Sequence, residues 1–93
     1  MFEHVLRQIQ DRVRARQYVM TLHAEEEMND DGLTIYDVER GILTGTIAER
    51  QTDLDTDELK YLIEGRTISG FPITVVGKLS VTNKLVINSV YAG

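Results

Sequence analysis

His23 is the residue best equipped for chemistry. It is one of two histidines, and the other, His4, falls on a terminal helix. His23 stands in the first turn of a short helical stretch, where the helix dipole disfavours imidazolium. Glu27, four residues on, favours it. The two influences oppose each other, which suits a group that exchanges protons near neutral pH. The plain alternative is a packed histidine bonded to a backbone carbonyl, since a lone His is a weak site signal.

Arg50, Lys60, Arg66, Lys78 and Tyr91 form a second set, spread over the strand-forming half of the chain. If they converge with His23, they suit phosphodiester cleavage in RNA. A base activates the ribose 2′-OH, cations stabilise the crowded phosphate, and an acid protonates the departing 5′-oxygen. Taken singly, each is an ordinary solvated strand residue. There is no phosphate-cradling glycine loop, nucleophilic serine motif or dinucleotide fingerprint, so no cofactor is implied.

Two acidic runs invite a metal. His23 and Glu27 share one helix face, beside Glu25, Glu26, Asp30 and Asp31. A full ligand set would need residues from elsewhere. The run reads better as a solvated face or a docking surface for a basic partner. Asp53, Asp55, Asp57 and Glu64 imitate a calcium loop. However, Glu58 occupies the place where the turn needs glycine, and the flanks read as strands, so an acidic hairpin tip is expected. No metal is expected.

Ninety-three residues allow one domain. Apolar residues make up 42% and charged residues 27%, which argues against wholesale disorder. The net charge of −5 is uneven: residues 1–20 carry +2, 21–40 carry −6, 41–60 carry −3 and 61–93 carry +2. That sign disfavours indiscriminate binding to duplex nucleic acid, while leaving room for a local basic patch. There are no cysteines, hence no disulfides and no thiol chemistry. The first ten residues are too interrupted by charge for a signal peptide, and no apolar run approaches a membrane span. The expected setting is soluble and cytoplasmic, with no membrane partner.

The elements that must hold these residues follow from periodicity. Phe2, Val5, Leu6, Ile9 and Val13 make one stripe of an amphipathic helix within 1–16. Tyr18 to Met20 is a short extended piece. Thr21 caps a helix from Leu22 that ends at Gly32. Thr34 and Asp37 have capping-box spacing and open a third helix that stops near Gly45. Period two then takes over. Strands are expected over 46–51, 59–64, 71–80 and 84–91, with turns at 53–57, 69–70 and 82–83. In the last strand, Leu85, Ile87, Ser89 and Tyr91 fall on one face by alternation. The order predicts an α+β domain, with two or three N-terminal helices on a four-stranded antiparallel sheet. The final two strands are apolar on both faces, so the face away from the helices is a second packed layer or an interface, including one between two copies of the chain.

Several pieces together carry a resemblance. They are Thr21-Leu22-His23-Ala24 with Met28, Gly32-Leu33-Thr34, Asp37-Val38-Glu39, Ile42, Gly45, Glu49-Arg50, Tyr61, Gly70 with Pro72-Ile73, Val75-Val76 with Lys78, Leu85-Val86-Ile87 and Val90-Tyr91. Over residues 18–91 the chain resembles the bacterial family known as domain of unknown function 4258. That family resembles small ribonuclease toxins of the RelE type, a RelE/barnase-like fold, often encoded beside a small zinc-finger antitoxin. The resemblance implies that His23 is the acid or base. It also implies that Arg50, Lys78 and Tyr91 bind phosphate or move protons.

The sequence thus leads to the expectation of a metal-independent endoribonuclease, the toxin half of a toxin–antitoxin pair. His23 and Tyr91 would be catalytic, with Arg50, Lys60, Arg66 and Lys78 around the phosphate. The rival expectation is a non-catalytic module that binds a partner protein or a second copy.

Overall fold

A computed structural model describes residues 1–93. Three helices and five strands follow in the order α1 (Glu3–Arg14), β1 (Tyr18–Met20), α2 (Leu22–Asp30), α3 (Ile35–Thr44), β2 (Thr46–Thr52), β3 (Leu59–Arg66), β4 (Pro72–Leu79) and β5 (Leu85–Ala92). The strands form one sheet in the order β1-β5-β4-β3-β2.

The sheet corrects the expected four antiparallel strands. It has five strands and is mixed, because β1 pairs parallel to β5, Tyr18 beside Leu85 and Met20 beside Ile87. A three-residue piece cannot form a sheet of its own. It becomes a strand because β5 offers an open edge, and Gln17 and Thr21 extend the ladder through Leu85 N–H and Ile87 C=O.

The helix ends follow local chemistry. The Thr21 hydroxyl accepts the Ala24 N–H at the start of α2. Beyond Asp31 the chain turns through Gly32 at φ 67°, a left-handed conformation that glycine adopts without a Cβ clash. There Leu33 N–H reaches Met28 C=O and Gly32 N–H reaches Asn29 C=O, which closes a Schellman motif. Thr34 and Asp37 exchange both capping-box hydrogen bonds at the start of α3. At its other end, Gln10 of α1 donates its side-chain amide to the Ile42 carbonyl at 3.1 Å. That bond satisfies one of the acceptors a helix end leaves open.

All three helices bear on one side of the sheet. Ile9, Val13, Ala24, Val38 and Ile42 meet Tyr61, Ile63, Ile73, Val75, Leu85, Ile87 and Val90 in one core. The helix α3 sits unusually close: a Cβ on Gly65 would lie 1.9 Å from the Gly41 carbonyl oxygen, and one on Gly41 would lie 2.5 Å from Ile73 Cγ2. Backbone therefore packs on backbone here, and only glycine fits. The Thr44 hydroxyl accepts the Arg66 N–H at 3.0 Å and fixes the same junction.

Two irregularities set which side chains face which way. The β4–β5 register shifts between Val76 and Gly77, leaving Asn88 as the extra residue of β5. Alternation therefore reverses along β5. Leu85, Ile87 and then Val90 point into the core, while Ser89 and Tyr91 join the opposite face. A second shift leaves Ala48 as the extra residue of β2.

Candidate functional site

The face of the sheet turned away from the helices carries most of the candidate residues. Pairing places Lys60, Leu62, Glu64 and Arg66 of β3 on it, with Thr74, Val76 and Lys78 of β4 and Val86, Ser89 and Tyr91 of β5. Tyr61, Ile63, Ile73, Val75, Leu85, Ile87 and Val90 of the same strands point the other way, into the core. Leu62, Val76 and Val86 are half-buried there, and Val19 beside Val86 is 49% exposed. The open face is therefore mixed, a short apolar strip flanked by cations, the Glu49 and Glu64 carboxylates, the Ser89 hydroxyl and the Tyr91 phenol, while Thr74 is buried with its hydroxyl donated to the Gly93 carbonyl.

His23 stands at the margin of this face. Its ring is 69% exposed, and its Nε2 lies 3.2 Å from Glu27 Oε1. That oxygen also accepts the Ser89 hydroxyl at 2.6 Å and the Val90 N–H at 3.1 Å. Helix spacing brings His23 and Glu27 together, and the reversal in β5 brings Ser89 to them. A neutral imidazole bonded in this way carries its proton on Nε2 and offers the Nδ1 lone pair to solvent. The hydroxyl of Ser89 meets the carboxylate rather than the imidazole, so this is not a serine nucleophile activated by a histidine.

The cations are distributed and mostly engaged. Lys60 and Lys78 sit side by side on β3 and β4, one place beyond the Tyr61–Gly77 pair. Lys60 lies 3.4 Å from Asp53 and Lys78 lies 2.8 Å from Glu58. The Lys78 ammonium holds the Glu58 carboxyl below its ordinary range. The backbone N–H groups of Asp55 and Thr56, with Lys60, do the same for Asp53. Arg66 is at the far end of β3 and donates to the Gly70 carbonyl at 3.5 Å. Tyr91 faces Thr74, two residues or about 7 Å along β5 from Ser89. Arg50 is on the other side of the sheet, its guanidinium 5.6 Å from the centre of the Phe2 ring.

Residues 20–92 match DUF4258, a domain of unknown function. The chain belongs to that family. No curated protein and no solved structure matches the chain. The match takes in His23, Glu27, Ser89 and the whole open face, and leaves out α1.

This DUF4258 domain thus brings Lys60, Lys78, Arg66 and Tyr91 onto one face with His23 at its edge, and sets Arg50 apart. None of the surface pockets is lined by His23, Tyr91 or any of the four cations. No group of three or more His, Asp or Glu side chains is placed to hold a metal ion. No helix is long and apolar enough to cross a membrane. Sequence reasoning missed Ser89 and the ion pairs that hold the lysines. The ion pairs join a hairpin tip to strands through tertiary structure, and no local spacing signals them. The one visible clue to the histidine cluster was the four-residue step from His23 to Glu27.

Proposed function

We propose that this protein is a metal-independent endoribonuclease, the toxin half of a pair whose other member is a small zinc-finger antitoxin. The observation that supports it is the uncovered sheet face, where Lys60, Lys78, Arg66 and Tyr91 share one surface with His23 at its rim. Single-stranded RNA lies along the strands, with the scissile phosphate over Ser89. The fold is then of the RelE/barnase-like kind, with the sheet face turned away from the helices as the working surface.

Each side chain then has a task. Glu27 holds His23 Nε2–H, and Nδ1 takes the proton of the ribose 2′-OH. The 2′-oxygen attacks phosphorus, the P–O5′ bond breaks, and Tyr91 gives its proton to the departing oxygen. The products are a 2′,3′-cyclic phosphate and a 5′-hydroxyl. The ammonium groups of Lys60 and Lys78 offset the charge gathering on the phosphate once they exchange Asp53 and Glu58 for it. Arg66 binds the strand further along.

The test is incubation of purified protein with single-stranded RNA in EDTA, with products read by mass spectrometry. Cyclic phosphate ends are expected, and His23→Ala is expected to lose cleavage while remaining folded. Intact RNA at high enzyme, or equal cleavage by His23→Ala, overturns the assignment. In bacteria, induced wild type is expected to arrest growth and His23→Ala is not.

A second reading draws on the carboxylates that already hold Lys60 and Lys78 and on the apolar strip of Leu62, Val76 and Val86. On it, the open face docks a partner protein or a second copy, and His23 merely packs. A stable complex that forms equally well with His23→Ala, without RNA cleavage, selects this reading.

A further inference from the structure

The two rims of the sheet differ. At the β5 rim, β1 covers the first part, and beyond it Glu27 and Asp31 of α2 accept the N–H groups of Val90 and Ala92. At the opposite rim, seven-residue β2 has a neighbour on one side only. Asp53 N–H bonds to Glu58 C=O across the hairpin. By antiparallel alternation, the N–H and C=O groups of Thr52 and Arg50 then point away from β3. That edge is a template for another extended chain.

What lies at each end of the edge defines the chain that fits. At the Thr46 end, the bulge at Ala48 and the start of α1 flank a half-open, mainly apolar pocket of about 340 Å³, lined by Phe2, Leu6, Ile47 and Ala48 together with Glu3 and Thr46. At the other end, the hairpin tip carries Asp55 and Asp57, which have no cationic partner. A strand between a helix and a free edge, with a side-chain pocket at one end, is a known peptide-binding arrangement.

We propose that β2 receives an extended segment of a partner protein. The segment pairs antiparallel, with Lys or Arg residues at the acidic tip and an aliphatic side chain in the pocket beside α1. A second copy of the chain fits less well. Pairing β2 with itself about an axis normal to the sheet at Glu49 or Arg50 sets Glu49 against Glu49 or Arg50 against Arg50, and like charges directly opposite repel. This site is separate from the open face, so it stands whether or not RNA is cleaved there.

The probe is the peptide acetyl-Lys-Lys-Thr-Lys-Thr-Val-Thr-Leu-amide, titrated into the full chain labelled with nitrogen-15. Saturable amide shifts are expected in β2 and at the start of α1. Replacing the three Lys by Glu, or the Leu by Gly, is expected to weaken binding by about tenfold or more. Ala48→Glu at the exposed mouth of the pocket, and Thr52→Pro at an outward N–H, are expected to do the same in folded protein. No shift up to millimolar peptide overturns the proposal. Shifts confined to the open face or α2, or binding untouched by Ala48→Glu, also overturn it. A dimer held through β2 that excludes the peptide assigns the edge to a second copy instead.

Discussion

The Glu27 carboxylate accepts the backbone N–H of Val90 at 3.1 Å, so a helix side chain stands where a neighbouring strand would place its carbonyl. One turn on, Asp31 does the same for Ala92 at 2.9 Å. The outer face of α2 is acidic, but two of its acids are structural acceptors for the sheet. The i, i+4 spacing on the helix roughly matches a two-residue step on the strand, since four helical rises and two strand rises are each about 6–7 Å.

Removing that acceptor is expected to cost stability. Glu27→Ala leaves the Val90 N–H and the Ser89 hydroxyl without their partner, with an expected loss of about 1–3 kcal/mol in urea unfolding. Glu27→Gln still offers an oxygen and is expected to lose less. Equal losses from both would show that packing, not the oxygen, holds the rim.

The lysines of the open face are held by acids that an RNA phosphate must displace. Glu58→Gln, which frees Lys78, is therefore expected to tighten binding of single-stranded oligonucleotide and to steepen its salt dependence. Lys78→Ala is expected to weaken it. Fluorescence anisotropy at two salt concentrations reads both. A Glu58→Gln protein that binds no better would place the phosphate elsewhere.

The contact between α3 and β3 leaves no room for a methyl group. Gly65→Ala is expected to destabilise the fold by about 1–3 kcal/mol or more, because the new Cβ meets the Gly41 carbonyl. Thermal melting measures it. An unchanged melting temperature would mean that α3 lifts off the sheet without cost.

At alkaline pH, Tyr18 is expected to govern stability. Burial first, and then its 2.5 Å hydrogen bond to Glu39, push the phenol from its ordinary 10.0 up to about 12. In the unfolded chain it ionises near the ordinary value. Between the two values the unfolded state has released a proton that the folded state keeps, so unfolding is favoured as pH rises. Stability is full below about pH 10 and drains towards 12. Tyr18→Phe is expected to flatten that limb in denaturation curves. Parallel decline in both proteins would assign it to another group.

Helix boundaries were legible in the sequence because their signals are local. Thr21, Gly32 and the Thr34–Asp37 pair act within one turn of where they stand. The facing of the last strand was not, because counting by twos fails at an inserted residue. Leu85 and Ile87 point as alternation predicts, whereas Asn88 resets the count and exchanges Ser89 for Val90 in the core. That exchange gives Glu27 a hydroxyl partner. The pairing of β1 was hidden for a different reason: Tyr18, Val19 and Met20 show no period, and their partner lies nearly seventy residues away. Charge and the family resemblance both group Arg50 with the lysines, but its place in β2 puts it over Phe2 on the helix side.

The carboxylates of Glu27 and Asp31 also limit how many molecules can join. With the donors beyond β1 occupied by α2, only the β2 side offers a long row of free backbone groups. Such a unit has a single valence for strand pairing. It can couple to one partner segment but not pass the contact onward, so strand pairing ends with that partner instead of propagating into fibres.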